Sequence, residues 1–340
     1  MSDFEIGLYL QPNQPATTVT RWAQVAEDLG YAFIGLTDGQ NIWRDAWVCQ
    51  ATVAQATKRV RLGPWVTNPF TRHPTVTINA ACTLDELSGG RAFIGIGIGD
   101  DSVRTIGHRE AKLDELASVI TLMRKLAAGE YVDTEHGRWH IATARGKMDI
   151  YWAAANPRSL QHGGQYSDGV IASAWLVPEM MAAMLENIRI GQGKPGARPR
   201  VAKIFNTGLS IAEDGNAARN AAKPYVARAL CYAASANIPG WSKEDMETFK
   251  SKYNYYDHFS TTQSVATIVP DHMVTKKTVA GTPEECVELT QMIIDGGFDQ
   301  VCFIPMGDVE TTIRLFGERV FPKLRGAKFS PSSKLAGAAR

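Results

Sequence analysis

Two short polar stretches, TNPFTRH at residues 67–73 and GIGDD at residues 97–101, each follow an apolar run and hold much of the chemistry this chain can offer. Thr67 and Asn68 bring a hydroxyl and an amide, Asp38 ends another apolar run with a carboxylate, and His73 adds an imidazole suited to proton transfer near neutral pH. Gly97 and Gly99 allow the backbone to approach a ligand closely, and Asp100 follows them. Trp43 and Arg44 place an aromatic face and a cation in the loop after Asp38. In AAANPRSLQHGG, residues Asn156, Arg158 and Ser159 open a helix, where free backbone N–H groups and the helix dipole favour an anion. Trp175 closes a further apolar run, and YNYYDHFSTTQ sets Tyr256 and His258 among aromatic side chains. Asp257 beside His258 would raise its pKa, fitting it either for acid–base work or for tethering the segment. Each group also has a purely structural reading: a turn cap for Asp38, a helix start for His73, a helix cap for Asn156. Together they suit hydrogen bonding to a polar, planar heterocycle. They contain no strong nucleophile constellation, and no metal site is expected.

Eight strand-like runs must position these groups: residues 4–10, 32–37, 60–66, 92–98, 149–154, 169–173, 201–209 and 300–304. Their short apolar character fits strands buried on both faces. Helical segments alternate with them; in residues 110–128, Leu113, Leu116, Ile120, Met123 and Leu126 recur at threes and fours on one face. Gly30, Gly89, Gly129 and Gly296 read as left-handed helix ends. Eight β-then-α units favour a closed (β/α)8 TIM barrel over an open doubly wound sheet, which puts the active site at the C-terminal strand ends. One domain over residues 1–325 is expected. It has a hairpin-like excursion at 131–147, an aromatic-rich lid inserted at 232–279 before the last strand, and a mobile tail at 326–340.

Composition narrows the classes. The 340 residues are 44% hydrophobic and 21% charged with a net charge of +1, which gives no global reason to expect nucleic acid or an anionic membrane as partner. No run approaches the ~20 apolar residues a membrane span needs, and the N-terminus lacks a secretory pattern, so a cytoplasmic location is expected. Five scattered cysteines without a CxxC pair argue against a disulfide framework or zinc site, and most read as small buried residues.

TDGQNIWRD (37–45), WVTNPFTRHP (65–74), TLDELSGGR (83–91), GIGIGD (95–100) and GTPEEC (281–286) with GGFDQVCFIP after it resemble, in order and spacing, one known group. This is the methylenetetrahydromethanopterin-reductase-like branch of the bacterial luciferase-like superfamily of flavin- and deazaflavin-dependent oxidoreductases. The resemblance spans residues 4–322 and implies a barrel holding FMN or coenzyme F420. It implies Asp38 at the polar edge of the ring, a non-prolyl cis peptide at Trp65-Val66 behind the central ring, and Thr67 and Asn68 on the pyrimidine edge. Gly97, Gly99 and Asp100 then lie by the ring or its side arm, and Asn156, Arg158 and Ser159 hold the phosphate. From the residues themselves, Trp43 and Arg44 are expected to border the ring or a small-molecule substrate, and Trp175, Tyr256 and His258 the substrate, with Asp38, His73 and His258 as candidate acid–base groups. A homodimer packed through helices near the second and third units is also implied by the resemblance. One departure stands out: deazaflavin enzymes of this superfamily often carry Asp-His where this chain has Asp38-Gly39, so that proton donor must come from elsewhere or is not needed. The expected reaction is hydride transfer with reduced deazaflavin. The alternatives are an FMN-dependent monooxygenase and, from another class, a non-catalytic flavin-binding protein.

Overall fold

The computed structural model describes residues 4–173, 175–230, 238, 241–252 and 269–327. The strands are β1 (Glu5–Leu10), β2 (Phe33–Leu36), β3 (Arg61–Pro64), β4 (Phe93–Ile96), β5 (Val132–Thr134), β6 (Gly137–Trp139), β7 (Asp149–Ala154), β8 (Gly169–Ser173), β9 (Ala202–Ile211), β10 (Thr278–Gly281) and β11 (Gln300–Pro305). Eight of them run parallel in the order β3-β2-β1-β11-β9-β8-β7-β4. Bridges Leu62↔Ala92 and Thr67↔Ile96 join β3 to β4 and complete the ring. The seam is tight: a Cβ on Gly63 would lie 2.1 Å from the Phe93 carbonyl oxygen, so only glycine lets the first and last staves meet there.

All eight expected strands are present because each is an apolar run covered by a helix outside and by side chains within. Phe33, Trp65, Phe93, Tyr151, Ile171, Ile204 and Cys302 form the inner layer. Gly7 on β1 leaves the room that the Phe33 ring fills, since a Cβ there would come within 2.4 Å of it. Below this layer Arg61 donates to the Tyr151 hydroxyl at 2.9 Å and pairs with Glu5 at 2.5 Å, and Gln300 also donates to Glu5 at 2.9 Å. The N-terminal end of the barrel is thereby closed by a polar plug. Outside, helix Leu113–Ala127 buries Leu116, Ile120, Met123 and Leu126.

The excursion at 131–147 contains the antiparallel hairpin β5–β6. Three sequence expectations shift. The segment expected as an insertion up to 279 contains helices Lys243–Lys252 and Asp271–Lys277 and then enters β10, which pairs with residues 208–211 of β9. Gly208 and Leu209 pair with β11 as well, so β10 sits on the opposite edge of β9, above β8. At the helix end near 296 the left-handed residue is Gly297, with φ 89°, while Gly296 stays helical. The expected tail begins attached: Phe4 donates to the Gly326 carbonyl at 3.0 Å and bridges to Ala327. Among the described residues no helix is long and apolar enough to cross a membrane.

Candidate active site

The C-terminal ends of the strands form a mouth with two unlike sides. On the β2–β4 side, the Trp65-Val66 peptide bond is cis. Its two side chains part: Trp65 points down into the barrel, stacked on Phe33 at 5.4 Å, with its Nε1 donating to Asn206 Oδ1 at 3.0 Å. Val66 stays half-buried at the mouth, against the backbones of Gly95 and Gly97. The chain then rejoins β4: Thr67 N donates to the Gly95 carbonyl and Gly97 N to the Thr67 carbonyl.

Asp38 is 4% exposed, and its Oδ2 accepts from Thr67 Oγ1 at 2.7 Å and from Arg72 Nη1 at 2.6 Å. A second Arg72 nitrogen pairs with Asp45 at 2.6 Å, and Asp45 itself caps helix Ala46–Ala56. Arg72, which no sequence signal singled out, is thus the rivet of this side. Asn68 spends its amide on the loop, accepting from Phe70 N and Thr71 N and donating to Thr71 Oγ1 and Ser102 Oγ. Gln40 and Asn41 donate to the carbonyls of Ser102 and Thr105, tying the loops after β2, β3 and β4 into one shelf. Trp43 closes over Gly39, where a Cβ would come within 2.8 Å of its ring. The Asp38-Gly39 departure therefore has a physical consequence: an indole covers the backbone at that position. Arg44 holds the Pro12 carbonyl at 3.3 Å.

His73 is placed differently from the catalytic expectation. It caps helix Pro74–Ser88, its Nδ1 lying 2.7 Å from Thr75 Oγ1, and its exposed ring meets Trp139 of the hairpin edge-on at 4.8 Å. Asn156 also caps, accepting from Ser159 N at 3.0 Å, while the Ser159 hydroxyl receives the Trp152 indole N–H at 3.0 Å. Arg158 is exposed at the first turn of helix Pro157–Tyr166. Gly99 has φ 94°, a conformation glycine adopts without strain, and Asp100 after it pairs with Arg104 at 3.4 Å and with Arg228. Arg228 belongs to helix Gly215–Leu230, after β9, so this ion pair spans the mouth above β7 and β8. Burial and then the neighbouring Asp100 charge push the Asp101 carboxyl up to about 6, against the pull of Arg228 and Arg104.

The opposite side, at β8–β10, is built from aromatics around a buried cation. Lys277 is 1% exposed; its Nζ lies 3.4 Å from Ser173 Oγ, 5.4 Å from the Trp175 ring centre and 5.6 Å from that of Tyr225. Burial brings its amine down to about 7. Burial likewise pushes the Tyr9 phenol, on β1, up to about 12, with Thr37 opposing. Tyr256 and His258 lie outside the described residues.

The family model described as luciferase-like monooxygenase matches residues 1–300. The chain belongs to this family. This luciferase-like chain is 28% identical over 333 residues to the 5,10-methylenetetrahydromethanopterin reductase of Archaeoglobus fulgidus, covering 94% of this chain and 100% of that one. It is 25% identical over 344 residues to the F420-dependent hydroxymycolic acid dehydrogenase of Mycobacterium tuberculosis, covering 94% and 88%. The solved coenzyme F420 dependent tetrahydromethanopterin reductase of Methanopyrus kandleri superposes with a TM-score of 0.78 at 23% identity, over 95% of this chain and 100% of that one. That likeness shows the fold, a (β/α)8 barrel.

Proposed function

We propose that this luciferase-like protein is an oxidoreductase that uses reduced coenzyme F420 for hydride transfer to or from a small organic substrate. The observation that carries the reading is a continuous strip along the mouth. Val66, beyond the cis bond, faces Gly97; a Cβ on Gly97 would lie 3.4 Å from Ala153 on β7; and four residues past Ala153, at Pro157, the helix bearing Arg158 begins. An apolar strip leading to an anion-favouring helix start fits a tricyclic ring with a phosphate-bearing arm. Names of relatives that are F420-dependent favour the deazaflavin over FMN.

When bound, the cofactor supplies the hydride, and the protein supplies placement and exclusion of water. Val66 and Ala153 would support the face of the ring, and the Thr67–Asp38–Arg72 chain would keep that support rigid. Arg158 and its helix turn would hold the phosphate. The Asn68 amide expected on the polar edge has its nitrogen and oxygen engaged by the loop, so it would have to give up those bonds to reach a ring. His73, occupied as a cap, is left without a proton-transfer role. The family description favours a second reading, in which FMN and oxygen serve the same barrel.

Titration of the purified protein with F420 and with FMN, followed by visible absorption, separates these readings. F420 binding with no oxygen demand is expected; FMN binding with oxygen-dependent NADH consumption would replace the first reading with the second. Arg158→Ala should weaken cofactor binding about tenfold, the loss of one charged hydrogen-bonding group. Its unfolding free energy should stay within about 0.5 kcal/mol of the parent, as for other surface changes. Unchanged cofactor affinity would remove the phosphate from this helix. We also propose a homodimer through helices Ala46–Ala56 and Pro74–Ser88, supported by Val48 and Val76, 65% and 54% exposed on them. Val48→Asp should shift the sedimentation coefficient to that of a monomer.

A further inference from the structure

Lys277 is the last residue of helix Asp271–Lys277, a place where lysine ordinarily reaches into water beside the final carbonyls. Its neighbour Lys276 is half-buried, but Lys277 turns inward and loses all but 1% of its exposure. Its backbone is fixed on two sides: the Thr207 hydroxyl of β9 donates to the Lys277 carbonyl, and Leu176 N donates to the Lys276 carbonyl at 2.7 Å. The side chain is therefore aimed by the ends of β8 and β9, which is the end of a barrel where chemistry is done. Among the described residues it faces Ser173 and Trp175 past the β8 strand and the Tyr225 phenol of helix Gly215–Leu230.

We propose that Lys277 is a catalytic acid, donating its proton to the oxygen or nitrogen of a carbonyl or imine substrate whose carbon accepts hydride at this mouth. The proposal rests on the deazaflavin reading above and deepens it by naming the substrate class. Hydride from the reduced cofactor forms the new C–H bond, the π pair of the C=O or C=N bond moves onto the heteroatom, and that atom takes the proton from Lys277 Nζ. The neutral amine then regains a proton from water through the exposed Ser173 hydroxyl, 3.4 Å away. Two aromatic faces favour the charged form of the amine while burial favours the neutral one, so both are accessible near pH 7. An isolated alkene presents no such heteroatom, so carbonyl and imine compounds should react and simple alkenes should not.

The test starts with the intact protein and F420. If the parent binds no F420, the deazaflavin reading fails and the proposal goes with it. If it binds F420 and reduces a member of a carbonyl and imine panel, Lys277→Met, Lys277→Arg and Lys277→Ala are compared with it. The expected result is F420 affinity within twofold of the parent for all three, with turnover of Lys277→Met lowered roughly 100-fold or more, the scale of lost general acid catalysis. Lys277→Arg, which keeps the charge and gives up its proton only reluctantly, should lose kcat with KM nearly unchanged. Calorimetric binding of the active carbonyl compound to cofactor-free protein should weaken about tenfold in Lys277→Met, as for loss of one charged hydrogen bond. Added ethylamine should restore part of the turnover of Lys277→Ala, which a merely structural lysine would not allow. Parent-like turnover in Lys277→Met, or failure of every primary amine to rescue a folded Lys277→Ala, would overturn the proposal while leaving the deazaflavin reading intact.

Discussion

The two sides of the barrel mouth solve opposite problems. The β2–β4 side is a shelf of short-range polar contacts organised around paired charges: Asp38 with Thr67 and Arg72, and Arg72 with Asp45. The β8–β10 side holds a lysine under aromatic rings, where burial dominates its protonation. A paired charge gives geometry, because removing either partner strands the other in a poor solvent. A buried amine poised near neutrality gives reactivity, because it sits between two states of similar free energy. Rigid support on one side and a labile proton on the other is the division of labour that the proposed hydride transfer to a polarised bond would use.

The comparison breaks first at Asp38. Asp38→Ala leaves Arg72 with half of its ion pairing and Thr67 without its acceptor, so about 3 kcal/mol of unfolding free energy should be lost in chemical denaturation. A loss under about 1 kcal/mol would mean the shelf is not held by this carboxylate. At Gly39 the expected effect is smaller. Gly39→Ala puts a methyl within 2.8 Å of the Trp43 ring, which must move, at a cost of about 1–2 kcal/mol and with a changed indole near-UV signal. An unaltered indole signal would show that Trp43 does not rest on that backbone.

The lysine side is sharpened by pH. Lys277 titrates near 7 in the folded chain, against about 10.4 for an unfolded lysine. Between those values the unfolded chain binds a proton that the folded chain has released, so raising pH through this window favours folding. The stability of the parent relative to Lys277→Met should therefore be lowest below pH 7 and climb towards pH 10. A flat difference across that range would place a normal, solvated lysine here.

The barrel was legible because its strands are short apolar runs separated by helices with a clear face, and eight such units favour a closed ring over an open sheet. The cis bond at Trp65-Val66 came with the WVTNP motif and is present. The short contacts were not legible. Arg72 lies in a loop, TRHP, where a cation reads as solvated, and its buried partner is 34 residues away. A buried carboxylate ending an apolar strand was the one clue that a cation had to be found for it. Lys277 was hidden by the opposite pattern: a Lys-Lys pair closing a helix reads as a dipole complement, and the strand β10 that follows was absorbed into an aromatic segment without apolar periodicity. His73 shows the limit from the other direction, a near-neutral imidazole at a promising address whose ring nitrogen is needed to start a helix.

The plug of Arg61, Glu5 and Gln300 has a kinetic corollary. With the lower end of the cylinder sealed, everything enters and leaves by one doorway, and whatever lies on the floor must arrive before what lies on top of it. On the deazaflavin reading, a carbonyl compound already lodged in that doorway should therefore slow F420 association, and product should depart before the spent cofactor can be exchanged.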